Sequence, residues 1–358
     1  MSKISKVIAR QIFDSRGNPT IETEIYLKDG SKGSAIVPSG ASKGKHEAFE
    51  LRDLENKNYL GKSVLKAIDK VNGEISKALM GFVAEDQAKI DQTLIELDST
   101  KQKKRLGANA MLSVSLAVNK ASAVSKKIPL YKNLGKHHTL PLPMMNIING
   151  GVHANNSLTI QEFMIRPDKA KTFKEAIKIC FLVITKLKSL INNKNLSTAV
   201  GDEGGFAPSL TSNEEAIELI LRAIEKAGFL PGKEVSICLD VAASELYKNN
   251  KYSLNSSKFM SLNEVIDFYS GLLKKYPIKS IEDPFSEDDW NGWVDLSKTI
   301  NKNIQIVGDD LFVTNKDRLL KGIKAKVANA ILIKPNQIGT LTETLEVINL
   351  ARQNGYNT

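Results

Sequence analysis

The 358-residue chain is 42% hydrophobic and 25% charged, which excludes a disordered or low-complexity protein because there is ample apolar surface to form a core. No apolar run reaches the ~18 residues of a membrane span; the best, residues 177–191, is broken by Lys178, Lys186 and Lys188. Net charge is +10 and uneven: residues 1–140 carry 24 basic and 15 acidic side chains, the remainder 26 and 25.

The basic cluster Lys101, Lys103, Lys104 and Arg105 has no interleaved aromatics, which argues for a solvated face and against a nucleic-acid surface. The N-terminus lacks the long apolar stretch of a signal peptide. Cys180 and Cys238 lie in apolar stretches without metal-type spacing, so two buried thiols in a cytoplasmic protein are expected.

In chain order, β-rich runs at 4–13, 19–27 and 33–37 are separated by turn signals at Gly17-Asn18-Pro19 and Asp29-Gly30. Helical patterns follow at 63–79, 84–97 and 109–126, the order of an α+β unit. Residues 135–143, with two histidines and two prolines, read as a linker between a capping domain of 1–135 and a second domain of 140–358. In that second domain short apolar runs (144–148, 158–165, 235–239, 278–281, 304–307, 330–333) alternate with amphipathic helices, which implies a parallel sheet, open or closed.

Four of these runs end on an ionisable residue: Asp240, Glu282, Asp309 and Lys334. Their intervals, 42, 27 and 25 residues, are close to the ~30 of one βα unit, so in a parallel barrel the four side chains converge on the C-terminal mouth. A single Asp at such a junction more often just caps the next helix. Three acids and a lysine in register reverse that preference. Clustered carboxylates repel unless a cation sits among them, and with only oxygen ligands on offer the expected ion is Mg²⁺ rather than Zn²⁺.

Glu162 shares a strand face with Ile160 and Met164, which leaves it either a partly buried carboxyl suited to acid/base work or an exposed edge residue. The loop 201–208 sets Asp202 and Glu203 between glycines, a plain turn or a close approach to a ligand. His153, after Gly150-Gly151, reads equally as a loop histidine. Gly40 to His46 lacks the spacing of a phosphate-binding P-loop, and residues 46–50 lack the second histidine of a zinc protease.

Taken together, these segments resemble the enolase family along the whole chain. The resemblance is carried by Asp14-Ser15-Arg16-Gly17-Asn18-Pro19, Gly107-Ala108-Asn109-Ala110, Gln161-Glu162-Phe163-Met164, Gly201-Asp202-Glu203-Gly204-Gly205-Phe206, Glu282-Asp283-Pro284, Gly308-Asp309-Asp310 and Lys334-Pro335-Asn336-Gln337. It implies an α/β protein with an N-terminal α+β cap followed by a ββαα(βα)n TIM-like barrel. The implied activity is the reversible dehydration of 2-phospho-D-glycerate to phosphoenolpyruvate. On that resemblance Asp240, Glu282 and Asp309 hold a first Mg²⁺, and Ser42 helps hold a second once substrate binds. Lys334 removes the α-proton, Glu203 protonates the leaving hydroxyl, and Glu162, Gln161 and His153 line the substrate pocket.

The family also suggests a cytoplasmic homodimer with a secondary cell-surface or secreted pool. Lys43 departs from the Thr usual at its position. The chain ends as the strand after residues 341–353 begins, so the barrel is expected to lack its last two strands, with the segment that grips the substrate phosphate and a second active-site lysine. Little activity is then expected of these residues alone. Two other readings compete: another acid-sugar dehydratase or cycloisomerase of the superfamily, and a non-catalytic surface or scaffold protein binding partners through the lysine-rich cap.

Overall fold

A computed structural model describes residues 1–40, 43–55, 57–135, 139–255 and 258–358, so Ser42 and three linker residues, 136–138, lie outside the described residues. The chain forms two compact units. The first contains Met1–Thr139, Val313–Leu319 and Ile333–Gln353, the second Leu140–Phe312, Leu320–Leu332 and Asn354–Thr358.

The first unit opens with an antiparallel meander of β1 (Ile4–Phe13), β2 (Pro19–Leu27) and β3 (Lys32–Val37). Its turns place Gly17 and Gly30 at positive φ, where only glycine avoids a steric cost. The predicted helix over 63–79 is broken into α1 (Leu65–Lys70), a π-turn at Val71–Ile75 and α2 (Ser76–Leu79). The widened turn serves Asn72, whose side chain accepts from the Ala9 N–H (2.7 Å) and donates to the Ala9 carbonyl (3.1 Å). After α3 (Gln87–Asp98) comes α4 (Ala108–Ser125), an almost wholly buried helix lying on β2 and β3, and then the short α5 (Leu130–Leu134).

Two helices from the C-terminal part of the chain, α11 (Pro335–Ile338) and α12 (Leu341–Gln353), belong to this unit. The start of α12 is tied down by Asp91 of α3, whose carboxylate accepts from both the N–H and the hydroxyl of Thr342, and by Lys103 paired with Glu343 at 3.0 Å.

β3 lies so close to α4 that a Cβ on Gly33 would come within 2.2 Å of the Ala121 nitrogen and 2.4 Å of the Ala117 carbonyl oxygen. On β2, Glu24 is buried under Lys32 and Arg10, each 2.6 Å away, and accepts from the Tyr26 hydroxyl at 2.8 Å. The Lys32 hydrogen bond, followed by that of Tyr26, holds the Glu24 carboxyl down at about 2.

The second unit is built on a six-stranded sheet ordered β12-β11-β10-β6-β5-β4: β4 (Met145–Asn149), β5 (Glu162–Arg166), β6 (Ser236–Asp240), β10 (Ile278–Glu282), β11 (Gln305–Gly308) and β12 (Ala330–Ile331). The pairs β4/β5 and β5/β6 are antiparallel, and every later pair is parallel. Helices α6 (Phe173–Asn193), α7 (Asn213–Lys226), α8 (Leu262–Lys275) and α9 (Trp290–Thr299) alternate with the strands, and α10 (Lys316–Ala325), whose first four residues belong to the first unit, follows β11. A small sheet absent from the sequence expectation, β7 (Tyr247–Lys248), β8 (Lys251–Asn255) and β9 (Lys258–Met260), precedes α8.

Inner-strand residues Phe163, Ile165, Ile237, Leu239 and Ile281 are fully buried. Both thiols are free and buried, and burial pushes Cys180 up to about 11 and Cys238 up to about 12. Among the described residues no helix is long and apolar enough to cross a membrane.

Two outcomes follow for the first unit. Gly33→Ala should lose about 2 kcal/mol or more in urea denaturation, since α4 backbone must move to admit one methyl group. Because the Glu24 carboxyl is depressed below its unfolded value of about 4.3, its contribution is present above that pH and is lost as pH falls toward 2. Glu24→Gln should therefore be less stable than the parent protein near pH 6, with the gap narrowing as thermal melts are repeated down to pH 2.

Candidate active site

The site begins with strand register. Asn149 of β4 lies opposite Glu162 of β5, Glu162 opposite Asp240 of β6, and Asp240 opposite Glu282 of β10. Directly opposed residues project to one face, so three carboxyl groups stand in a row across three neighbouring strands. β5 is an inner strand and Glu162 is partly buried, which settles the alternative of an exposed edge residue. On β11 the partner of Glu282 is Val307, and Asp309 follows two residues later, just past the strand end.

Glu282 carries the strain of this row. Burial, then the charges of Asp240, Asp309, Asp283 and Glu162, push its carboxyl well above the ordinary range. Asp240 is held by the Ala242 N–H on Oδ1 (3.0 Å) and by Gln161 Nε2 on Oδ2 (3.1 Å). Gln161 is pinned in turn by backbone bonds to Asp240 and Gly150, and its Oε1 is buried with no hydrogen-bond partner among the described residues.

A second constellation lies beside this row. His153, buried at the end of the short turn Gly151–His153, has Nδ1 3.9 Å from Glu162 Oε1 and 3.9 Å from Glu203 Oε1. Glu203, 40% exposed, rides on a loop clamped to β4. Asn149 N–H donates to the Phe206 carbonyl, Phe206 N–H to Ile147, and Asp202 N–H to His153. The loop's glycines permit this closeness, because a Cβ on Gly205 would meet Asn149 Oδ1 at 2.3 Å and one on Gly201 would meet the His153 carbonyl oxygen at 2.6 Å.

Lys334, in the first unit, directly precedes Pro335 at the start of α11. Its N–H donates to Thr314 Oγ1 at 2.9 Å and its carbonyl accepts from Gln337, so its backbone is fixed on both sides. Thr314 is buried and also donates to Gln337 Oε1.

Two groups among the described residues bring three potential ligand atoms within 4.8 Å of one another: His153, Glu162 and Glu203, and Asp283, Asp309 and Asp310. Asp283, Asn149 and Thr314 were not singled out in the sequence. The available signals were the doubled acids Glu282-Asp283 and Asp309-Asp310.

Family profiles described as "Enolase, N-terminal domain" and "Enolase, C-terminal TIM barrel domain" match residues 4–134 and 137–358. The enolase of Pelagibacter ubique (strain HTCC1062) is 60% identical over 360 residues, spanning all of this chain and 86% of that protein. This chain belongs to the enolase family. Membership in the enolase family makes it a phosphopyruvate hydratase, a glycolytic lyase, and implies a divalent metal. The donor chemistry suits such an ion, since the row is all-oxygen and like charges already crowd Glu282, although neither three-ligand group includes Asp240 or Glu282.

Gly205→Ala should displace the loop that carries Glu203. Turnover is expected to fall about tenfold or more with the far-UV circular dichroism unchanged, as a misplacement near 1 Å suffices for such a loss.

Proposed function

We propose that the protein dehydrates 2-phospho-D-glycerate reversibly to phosphoenolpyruvate with Mg²⁺. The single observation that carries this reading is the row Glu162, Asp240, Glu282 with Asp309 beyond it, an oxygen-only site whose charges call for a hard cation. Asp240, Glu282 and Asp309 hold the first Mg²⁺, and Ser42 contributes to a second. When bound, Mg²⁺ supplies concentrated positive charge to the substrate carboxylate as its α-proton leaves.

The Lys334 amine takes that proton from C2. Glu203 gives a proton to the 3-hydroxyl, which departs as water while the C2–C3 double bond forms. One group thus removes a proton while the other delivers one, as an elimination from a weakly acidic carbon requires. His153 and Glu162 adjoin Glu203 and set the polarity around its carboxyl, and Gln161 presents its unsatisfied Oε1 to a substrate donor. The glycine-bordered loop gives Glu203 an exposed approach to substrate, whereas Asp240, Glu282 and Asp309 stay buried.

Separate losses test the two roles. Lys334→Ala should abolish exchange of the C2 proton with deuterated solvent, while Glu203→Gln should retain exchange and lose dehydration, each lowering turnover about 10²- to 10⁴-fold. Phosphoenolpyruvate formation that persists unchanged in excess EDTA would contradict the proposal. The same reading includes a cytoplasmic homodimer, checked by sedimentation, and a division into residues 1–135 and 140–358, checked by proteolysis between them.

A further inference from the structure

Asp283 follows Glu282 at the end of β10, is buried, and has φ +39, a left-handed conformation rarely adopted by a residue with a side chain. Four hydrogen bonds hold it there. Its N–H donates to the Val307 carbonyl of β11 (3.0 Å), and its carbonyl accepts from Ala243, three residues past Asp240 (3.0 Å). Its Oδ1 accepts from the Asp309 N–H at 2.9 Å and its Oδ2 from the Asp310 N–H at 2.8 Å. One residue therefore ties together the ends of β6, β10 and β11, the three strands that carry Asp240, Glu282 and Asp309.

Although Asp283 forms a compact group with Asp309 and Asp310, each of its oxygens already faces a backbone N–H. We infer that Asp283 is a positioning residue for the divalent-cation site: its carboxylate, not itself a ligand, sets the Asp309-Asp310 turn and so aims the Asp309 carboxyl. The inference rests on the proposed function in taking Asp309 as a ligand. Outer partners of this kind typically change metal affinity 10- to 100-fold when altered.

Asp283→Asn tests it, because asparagine keeps the size and tolerates left-handed φ but turns an NH₂ group toward one of the two N–H donors. Calorimetric titration with Mg²⁺ well below the melting temperature is expected to show affinity weakened about tenfold or more, yet still measurable, where Asp309→Ala shows none. Unchanged affinity in Asp283→Asn beside its loss in Asp309→Ala overturns the inference and leaves the proposed function standing. Loss in Asp283→Asn equal to that in Asp309→Ala makes Asp283 a ligand and also overturns it. Unchanged affinity in both variants overturns inference and function together.

Hydrogen exchange on the metal-free parent protein needs no variant. The amides of Asp309 and Asp310 should be protected without metal, and exchange at the rate of open loop amides would refute the inference.

Discussion

Mutual repulsion of carboxyl groups in one register row governs the second unit. Glu162, Asp240 and Glu282 face one another across adjacent inner strands, where opposed like charges are unfavourable, and Asp309 and Asp283 add to the same field. A fold assembled for stability alone would place aliphatic side chains there. Asp240 and Glu282 persist in buried positions at the ends of apolar strands, so the neighbouring structure must both tolerate the charge and hold the side chains against it. In the proposed function a divalent cation among these acids converts this liability into affinity.

The holding is done largely by backbone. Ala242 and Gln161 fix Asp240, and Asp283 fixes the turn after β11. The bonds from Asn149 and Phe206 fix the Glu203 loop on β4, with Gly201 and Gly205 admitting the close approach. Thr314 and Gln337 fix Lys334 in the first unit. Most of these bonds use a main-chain group, which leaves little freedom in the position it sets; the Gln161 side chain on Asp240 is the exception.

Much of this was legible in the sequence because strand ends are local signals. Apolar runs that stop on Asp240, Glu282 and Asp309 are visible without a fold, and the strands Ile4–Phe13 and Pro19–Leu27 follow directly from alternation and turn residues. The row itself was not legible, since the pairing of Glu162 with Asp240 depends on a register between strands more than 70 residues apart. Asp283 was missed for the same reason: its partners are amides of Asp309 and Asp310, which only the parallel pairing of β10 with β11 brings near. The hairpin of β7 and β8 did leave a local trace in the pair Asn249-Asn250, a residue type that tolerates the positive φ both adopt in the turn. The π-turn at Val71–Ile75 left none, because it is imposed by the Asn72 side chain reaching Ala9.

The most direct measurement of the central claim is calorimetric titration of Mg²⁺ into the parent protein and into Glu282→Gln across pH 5 to 8. Burial and acidic neighbours raise Glu282, so a proton competes with the cation for its carboxyl at the proposed site. Affinity in the parent should therefore rise with pH through that range and be lost or severely weakened in Glu282→Gln. Equal Mg²⁺ affinity in the two proteins would contradict a cation site built on the carboxylate row.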